Sequence, residues 1–279
     1  MTSQIKTALL LGVLTAMFLL IGQAIGGRAG LFIAFILALF MNVGSYWFSD
    51  RIVLTMYKAR EVAPHDAPGL HAMVDELCAN ARMPKPRLYI VPQQALNAFA
   101  TGRDPEHAAV AVTEGILRAL SPEELRGVLA HELGHVKNRD ILIQTVAAVL
   151  ASVIMTLSNM IQWAAIFGLG RSNDEEGGTN PLAAIALAII APFAAMLVQM
   201  AISYLADATG AQMSGQPLAL ASALGKLDSY SRQVPLDANP STENMFIVSP
   251  FSGMNVGRWF STHPPISERI ARLKAMAGR

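Results

Sequence analysis

Long apolar stretches alternate along the chain with polar stretches that carry nearly all of its charge. Four stretches are uncharged and long enough for a helix to cross a bilayer: Thr7–Gly27, Ala29–Ser49, Ile141–Gly170 and Gly177–Ala206. Only Arg28 separates the first two, which predicts a tight helical hairpin. Ser158, Asn159 and Gln162 dilute the third stretch, and Pro192 predicts a kink in the fourth. That second pair reads either as two further spans or as a buried, re-entrant hairpin.

The polar remainder comes in two pieces, Asp50–Asp140 and Asp207–Arg279, so the chain divides into 1–49, 50–140, 141–206 and 207–279. Arg51–Arg60 and Pro68–Arg82 have helical spacing, and Arg87–Val91 and Ala108–Thr113 read as short strands. The second strand is open to two readings: a sheet edge that could pair with an extended peptide, or an ordinary core strand. Ser121, Pro122 and Glu124 form the start of a helix: an N-cap, a first-turn proline and the third member of a capping box. Leu125, Val128, Leu129 and Val136 continue it at helical spacing. Leu218–Ser231 predicts another helix, Val234–Thr242 a loop, and Ser267–Met276 a basic amphipathic helix with a solvated charged face. The expected architecture is mainly α with a small β-sheet.

Composition sharpens the membrane reading. Hydrophobic residues make up 53% of the chain and charged residues only 15%, too apolar a balance for an ordinary soluble domain. Ala24-Ile25-Gly26 resembles a signal-cleavage site, but the length of the apolar stretch favours a retained anchor. Lys6, Arg51, Lys58 and Arg60 flank the first pair of spans, whereas Asp174, Glu175 and Glu176 lie between the third and fourth. The positive-inside rule then places the polar pieces in the cytoplasm. A net charge of +1 implies no attraction to nucleic acid. Cys78 is the only cysteine, so neither an intrachain disulfide nor a cysteine-based zinc site can form; a buried, inert thiol is expected. The spans carry no ionisable residue that would mark a transport pathway.

The chemistry lies in His131-Glu132-Leu133-Gly134-His135. One helical turn separates the histidines, so both imidazoles leave one face and can share one Zn²⁺. Glu132 is placed to take the proton of an attacking water, an arrangement suited to peptide-bond hydrolysis. His65, His71 and His107 lack such a setting and are expected at the surface.

The chain resembles the HtpX-like membrane metalloproteases over essentially its whole length. The likeness is carried by Leu96–Gly102, Ala109–Gly115, Ser121–Asp140, and Ser261-Thr262-His263-Pro264-Pro265 with Glu268-Arg269-Ile270. The resemblance implies an integral-membrane, zincin-like endopeptidase of the cytoplasmic (inner) membrane. Its catalytic domain would face the cytoplasm, and its substrates would be misfolded membrane proteins. It implies one zinc per chain on His131 and His135, Glu132 as general base, and His263 as a hydrogen-bond donor to the developing oxyanion. Asn97 would contact substrate backbone or cap its loop, and Asp140 would orient a histidine or cap a helix.

One departure stands out. Members of the family carry a third ligand, a glutamate, in a Ser-Arg-x-Arg-Glu run after the fourth span, followed by Tyr or Phe and then x-Ala-Asp. Here Ser203 is followed directly by Tyr204-Leu205-Ala206-Asp207, as if four residues had been removed. Four residues are about one helical turn, so helical phase is kept and Ser203 takes the glutamate's place. Asp207, which the family pattern puts behind a ligand and which would have to move inward, and Glu243 are weaker candidates for the missing ligand. The alternative function is an inactive protease fold that serves as a membrane scaffold for substrates or partners.

Overall fold

The structure is a computed structural model that describes residues 3–142, 144, 203–231, 233, 245–248 and 264–278. Residues 145–202 of the third and fourth apolar stretches, the loop 234–242, Glu243 and His263 lie outside the described residues.

Helix α1, Ser3–Met56, is helical throughout by hydrogen bonding, yet it is not straight. A straight helix would hold Thr15 and Asn42 about 40 Å apart, but the Asn42 side-chain amide donates to Thr15 Oγ1 at 2.7 Å. The chain reverses at Gly27, whose φ of +54° only glycine adopts freely. The limbs touch at Gly22 and Gly30, where a Cβ on either would strike the other's backbone. This is the hairpin that the lone Arg28 predicts. Its second limb, Gly27–Phe48, is the one helix among the described residues long and apolar enough to cross a membrane. Leu31, Phe32, Ile33, Leu39 and Phe40 on it are exposed, as a lipid-facing surface would be.

Past Met56 the structure corrects the expected helix Arg51–Arg60: Lys58 takes a positive φ and Arg60–Glu61 forms strand β1. Helix α2 (Pro68–Ala81) follows, stopped by Arg82 in the left-handed region, then β2 (Arg87–Val91). Strand β3 (Ala98–Gly102) was not signalled by periodicity; β4 (Ala108–Thr113) was. A short helix α3 (Glu114–Ala119) leads into α4 (Pro122–Lys137). The remaining described helices are α5 (203–214), α6 (Pro217–Ser231) and α7 (Ile266–Ala277).

The strands order as β1-β2-β4-β3, with β2 and β4 parallel and the other pairs antiparallel. β4 is therefore interior and β3 is the edge, which settles the open reading of Ala108–Thr113 as a core strand. Both its faces are covered. Ala108, Val110 and Val112 join a core with Leu77, Leu129 and Leu224, while Ala109 and Ala111 meet Val53, Tyr57 and Phe99 on the other side. A strand buried on both faces needs no polar alternation, and this one has none. The foot of α1 thus packs on one face of the sheet, and α2, α4, α6 and α7 lie on the other.

Candidate metal centre

Helix α4 begins as its sequence dictates. The Ser121 hydroxyl accepts from the Glu124 amide at 3.3 Å, and the Glu124 carboxylate accepts from the Ser121 amide at 2.9 Å. Three turns later, His131, Glu132 and His135 are all buried. The two imidazoles stand nearly perpendicular with ring centroids 4.8 Å apart.

Helix α5 crosses α4 closely enough to require small residues. A Cβ on Gly134 would lie 2.9 Å from the Ala206 carbonyl oxygen, and one on Gly210 would lie 2.8 Å from the His131 amide nitrogen. The unfavourable glycine inside the motif helix is thereby explained: it admits a neighbouring backbone.

Each histidine has a carboxylate behind it. Asp207 Oδ1 lies 2.9 Å from His131 Nδ1, a close polar contact off the line of a well-formed hydrogen bond. Asp140 Oδ1 lies 3.2 Å from His135 Nδ1, with the Gln144 amide at 3.2 Å from the same atom. With both Nδ1 atoms engaged, Nε2 is the nitrogen left on each ring for a metal. Burial pushes His131 down to about 4 against the pull of Asp207, so this ring is neutral and able to ligate. Burial also lowers His135, but Asp140 outweighs it and the net direction is upward. Burial pushes the Glu132 carboxyl up to about 7, opposed by His135 and by the Ala100 backbone, near the value that suits a general base at neutral pH.

Asp207 is itself held. Arg269 on α7 donates from Nε and Nη2 to its two oxygens, each at 2.8 Å, and from Nη1 to the Ile247 carbonyl at 2.6 Å. Burial disfavours the Asp207 charge, but Arg269 and His131 overcome it and hold the carboxyl well below its usual range. It thus lies at the outer nitrogen of His131 with both its oxygens bonded to Arg269. The solvated basic face expected of the last helix holds for Arg272 and Lys274, but Arg269 departs from it and is fully buried.

Asn97 is buried, its side-chain oxygen accepting from the Ile247 amide at 3.4 Å. His71 is a further correction: it is buried on α2, with Nε2 3.0 Å from the Val62 carbonyl oxygen. His65 is exposed, and His107 is half exposed and pairs with Asp104. Cys78 is buried as expected, and burial raises its thiol to about 11.

Two imidazoles of this kind fit zinc, but a catalytic zinc takes three protein ligands. Among the described residues no cluster of three His, Cys, Asp or Glu side chains is arranged to hold a metal. Ser203, one turn before Asp207, is 1% exposed; it is the residue that the family resemblance would put in the third ligand's place.

A helical H-E-x-x-H site with carboxylate-backed histidines, set against a small sheet and beside an apolar hairpin, defines a metalloprotease of the membrane-associated kind. The chain belongs to peptidase family M48, whose model matches residues 64–277. It is 58% identical to a "Protease HtpX homolog" of Desulforapulum autotrophicum, over 98% of this chain and 90% of that protein. A protein of the same name from Pyrococcus furiosus is 54% identical over 98% of this chain and 96% of its own length. The expected resemblance to HtpX-like proteases is thus borne out. The crystal structure of S. mikatae Ste24p shares the fold at a TM-score of 0.55 and 17% identity. It covers 97% of this chain, which spans only 64% of that protein. Metalloproteases of family M48 generally use zinc.

Proposed function

We propose that this chain is a zinc endopeptidase of the cytoplasmic membrane, acting on misfolded or damaged membrane proteins presented at its cytoplasmic face. The supporting observation is the pair of buried imidazoles, each with a carboxylate at Nδ1 and Glu132 between them in sequence. In this reading His131 and His135 hold the metal through Nε2. Zinc, when bound, would supply Lewis acidity toward the scissile carbonyl and the attacking water. Glu132, near neutrality and held by the Ala100 amide, takes the proton of that water and returns it to the leaving amine. His263 would donate to the developing oxyanion. Orientation of the rings falls to Asp207, Asp140 and Arg269. The apolar stretches keep the site at the bilayer surface, close to unfolded membrane segments.

The test uses the full chain purified in detergent, with an unfolded membrane-protein segment as substrate and zinc supplied. Cleavage that disappears in Glu132→Gln supports the proposal. The serine at position 203 favours a second reading, a scaffold that binds such substrates without cutting them. Saturable substrate binding with no cleavage at any zinc concentration would select it.

A further inference from the structure

The crossing of α4 and α5 says more about position 203. Gly134 opposes Ala206, and Ala130 with His131 opposes Gly210, so the two helices run antiparallel. On α5, Asp207 reaches the outer nitrogen of His131. Four residues earlier is the same face of the helix, one turn or about 5.4 Å nearer the level of His135. Ser203 is there, 1% exposed. The remaining acidic neighbours described around the imidazoles are committed elsewhere. Asp207 is clamped by Arg269, Asp140 stands behind His135, and Glu132 is the base. A neutral hydroxyl is a poor zinc donor beside a carboxylate or an imidazole.

We propose that Ser203 occupies the third-ligand position of this centre. Among the described residues the chain then holds zinc through His131 and His135 alone, loosely and in exchange with solution. A donor side chain placed at residue 203 closes the site. This rests on the proposed metal-binding role of the two histidines and goes beyond it by assigning the defect to one residue.

The experiment measures zinc affinity, independently of turnover. Full-length protein in detergent competes with a chromogenic chelator for Zn²⁺, and Co²⁺ is added in parallel to read the ligand field by absorption. The variants are His131→Ala, Ser203→Glu, Ser203→His and Ser203→Gln. Ser203→His supplies a donor that needs no buried charge, should the glutamate prevent folding. The expectation is weak binding of one zinc by the parent chain, removed in His131→Ala. Ser203→Glu or Ser203→His should bind at least about 100-fold tighter, the upper range for altering an outer partner of a ligand, with intensified Co²⁺ bands. Ser203→Gln should show no comparable gain. Tight binding by the parent, left unchanged by Ser203→Gln, overturns the proposal and places the third ligand elsewhere. So does a folded Ser203→His and Ser203→Glu pair with parental affinity. Parent binding that survives His131→Ala would instead defeat the underlying metal assignment, a distinguishable failure.

Discussion

Removing the guanidinium of Arg269 is the most informative single perturbation of this fold. Arg269→Met keeps the length of the side chain and its apolar stem but deletes three hydrogen bonds, two to Asp207 and one to the Ile247 carbonyl. Asp207 is left as a buried carboxylate whose remaining neighbour is an imidazole that burial keeps neutral. Breaking a buried ion pair by removing one partner costs about 3–5 kcal/mol. The orphaned carbonyl would add up to about 1–3 kcal/mol if no water reaches it. These terms overlap, and about 4 kcal/mol is a fair central figure. For a chain of this size that corresponds to a fall in Tm of about 8–16 °C. Thermal unfolding of the full chain in detergent reads the shift. Adding Asp207→Asn removes the stranded charge, so the double variant should recover a large part of the loss. Arg269→Lys should not, because an ammonium cannot reproduce the two-pronged contact. A fall below about 2 °C in Arg269→Met, or strictly additive losses in the double variant, would refute the account of Arg269 as the partner that makes the buried Asp207 tolerable.

Glu132→Gln should lower cleavage by about 10²–10⁴-fold while leaving zinc affinity at the parental level; a parallel loss of both would mean that Glu132 serves the metal and not the proton. Gly134→Ala sets a gain in helix propensity of about 1 kcal/mol against a backbone clash of about 1–3 kcal/mol. With its Cβ 2.9 Å from the Ala206 carbonyl, the clash should win, and a raised Tm would contradict the close crossing of α4 and α5. Ser121→Ala should cost about 1 kcal/mol through the lost cap, measured as a fall in Tm. Glu124 gives a pH signature. Burial works against its charge, but Lys226, the Ser121 amide and Ser222 prevail and hold it below its ordinary value of 4.5. A carboxyl depressed by folding stabilises fully above its unfolded value and loses that contribution as pH falls through its lower folded value. Tm measured from pH 6 down to 3 should therefore fall less steeply in Glu124→Gln than in the parent; equal slopes would count against the pairing.

How much of this could be read from the residues differs from element to element. The start of α4 was fully legible, because a capping box is local chemistry within four residues. β2 and β4 matched to the residue, since runs of branched and small apolar residues suit a covered strand. β3 was missed: Ala-Phe-Ala-Thr-Gly has no alternation, because its side chains are buried on both faces. The motif named His131, Glu132 and His135, and the resemblance offered Asp140 as a residue that orients a histidine, but neither signalled Arg269. Arg269 looked like one solvated charge among several, yet it falls on the stripe Ile266–Arg269–Leu273, and that spacing was the available signal that it points inward. His71 is the same lesson on a smaller scale, sharing its face of α2 with Val74 and Cys78. The pairing of Asp207 with Arg269 joins positions 62 residues apart and leaves no local trace.

That separation has a consequence for the order in which the protein is made. The motif helix and Asp207 leave the ribosome before the arginine that neutralises Asp207. At about 5–20 residues per second, the chain spends about 3–12 s with its orienting carboxylate unpaired. During that interval the two Arg269 bonds to Asp207 and the one to the Ile247 carbonyl are unmade. The Arg269 contacts to Asp207 and to the Ile247 carbonyl form only once α7 has docked. Removing α7 would therefore keep the H-E-x-x-H residues but leave Asp207 and the Ile247 carbonyl without the guanidinium that binds both.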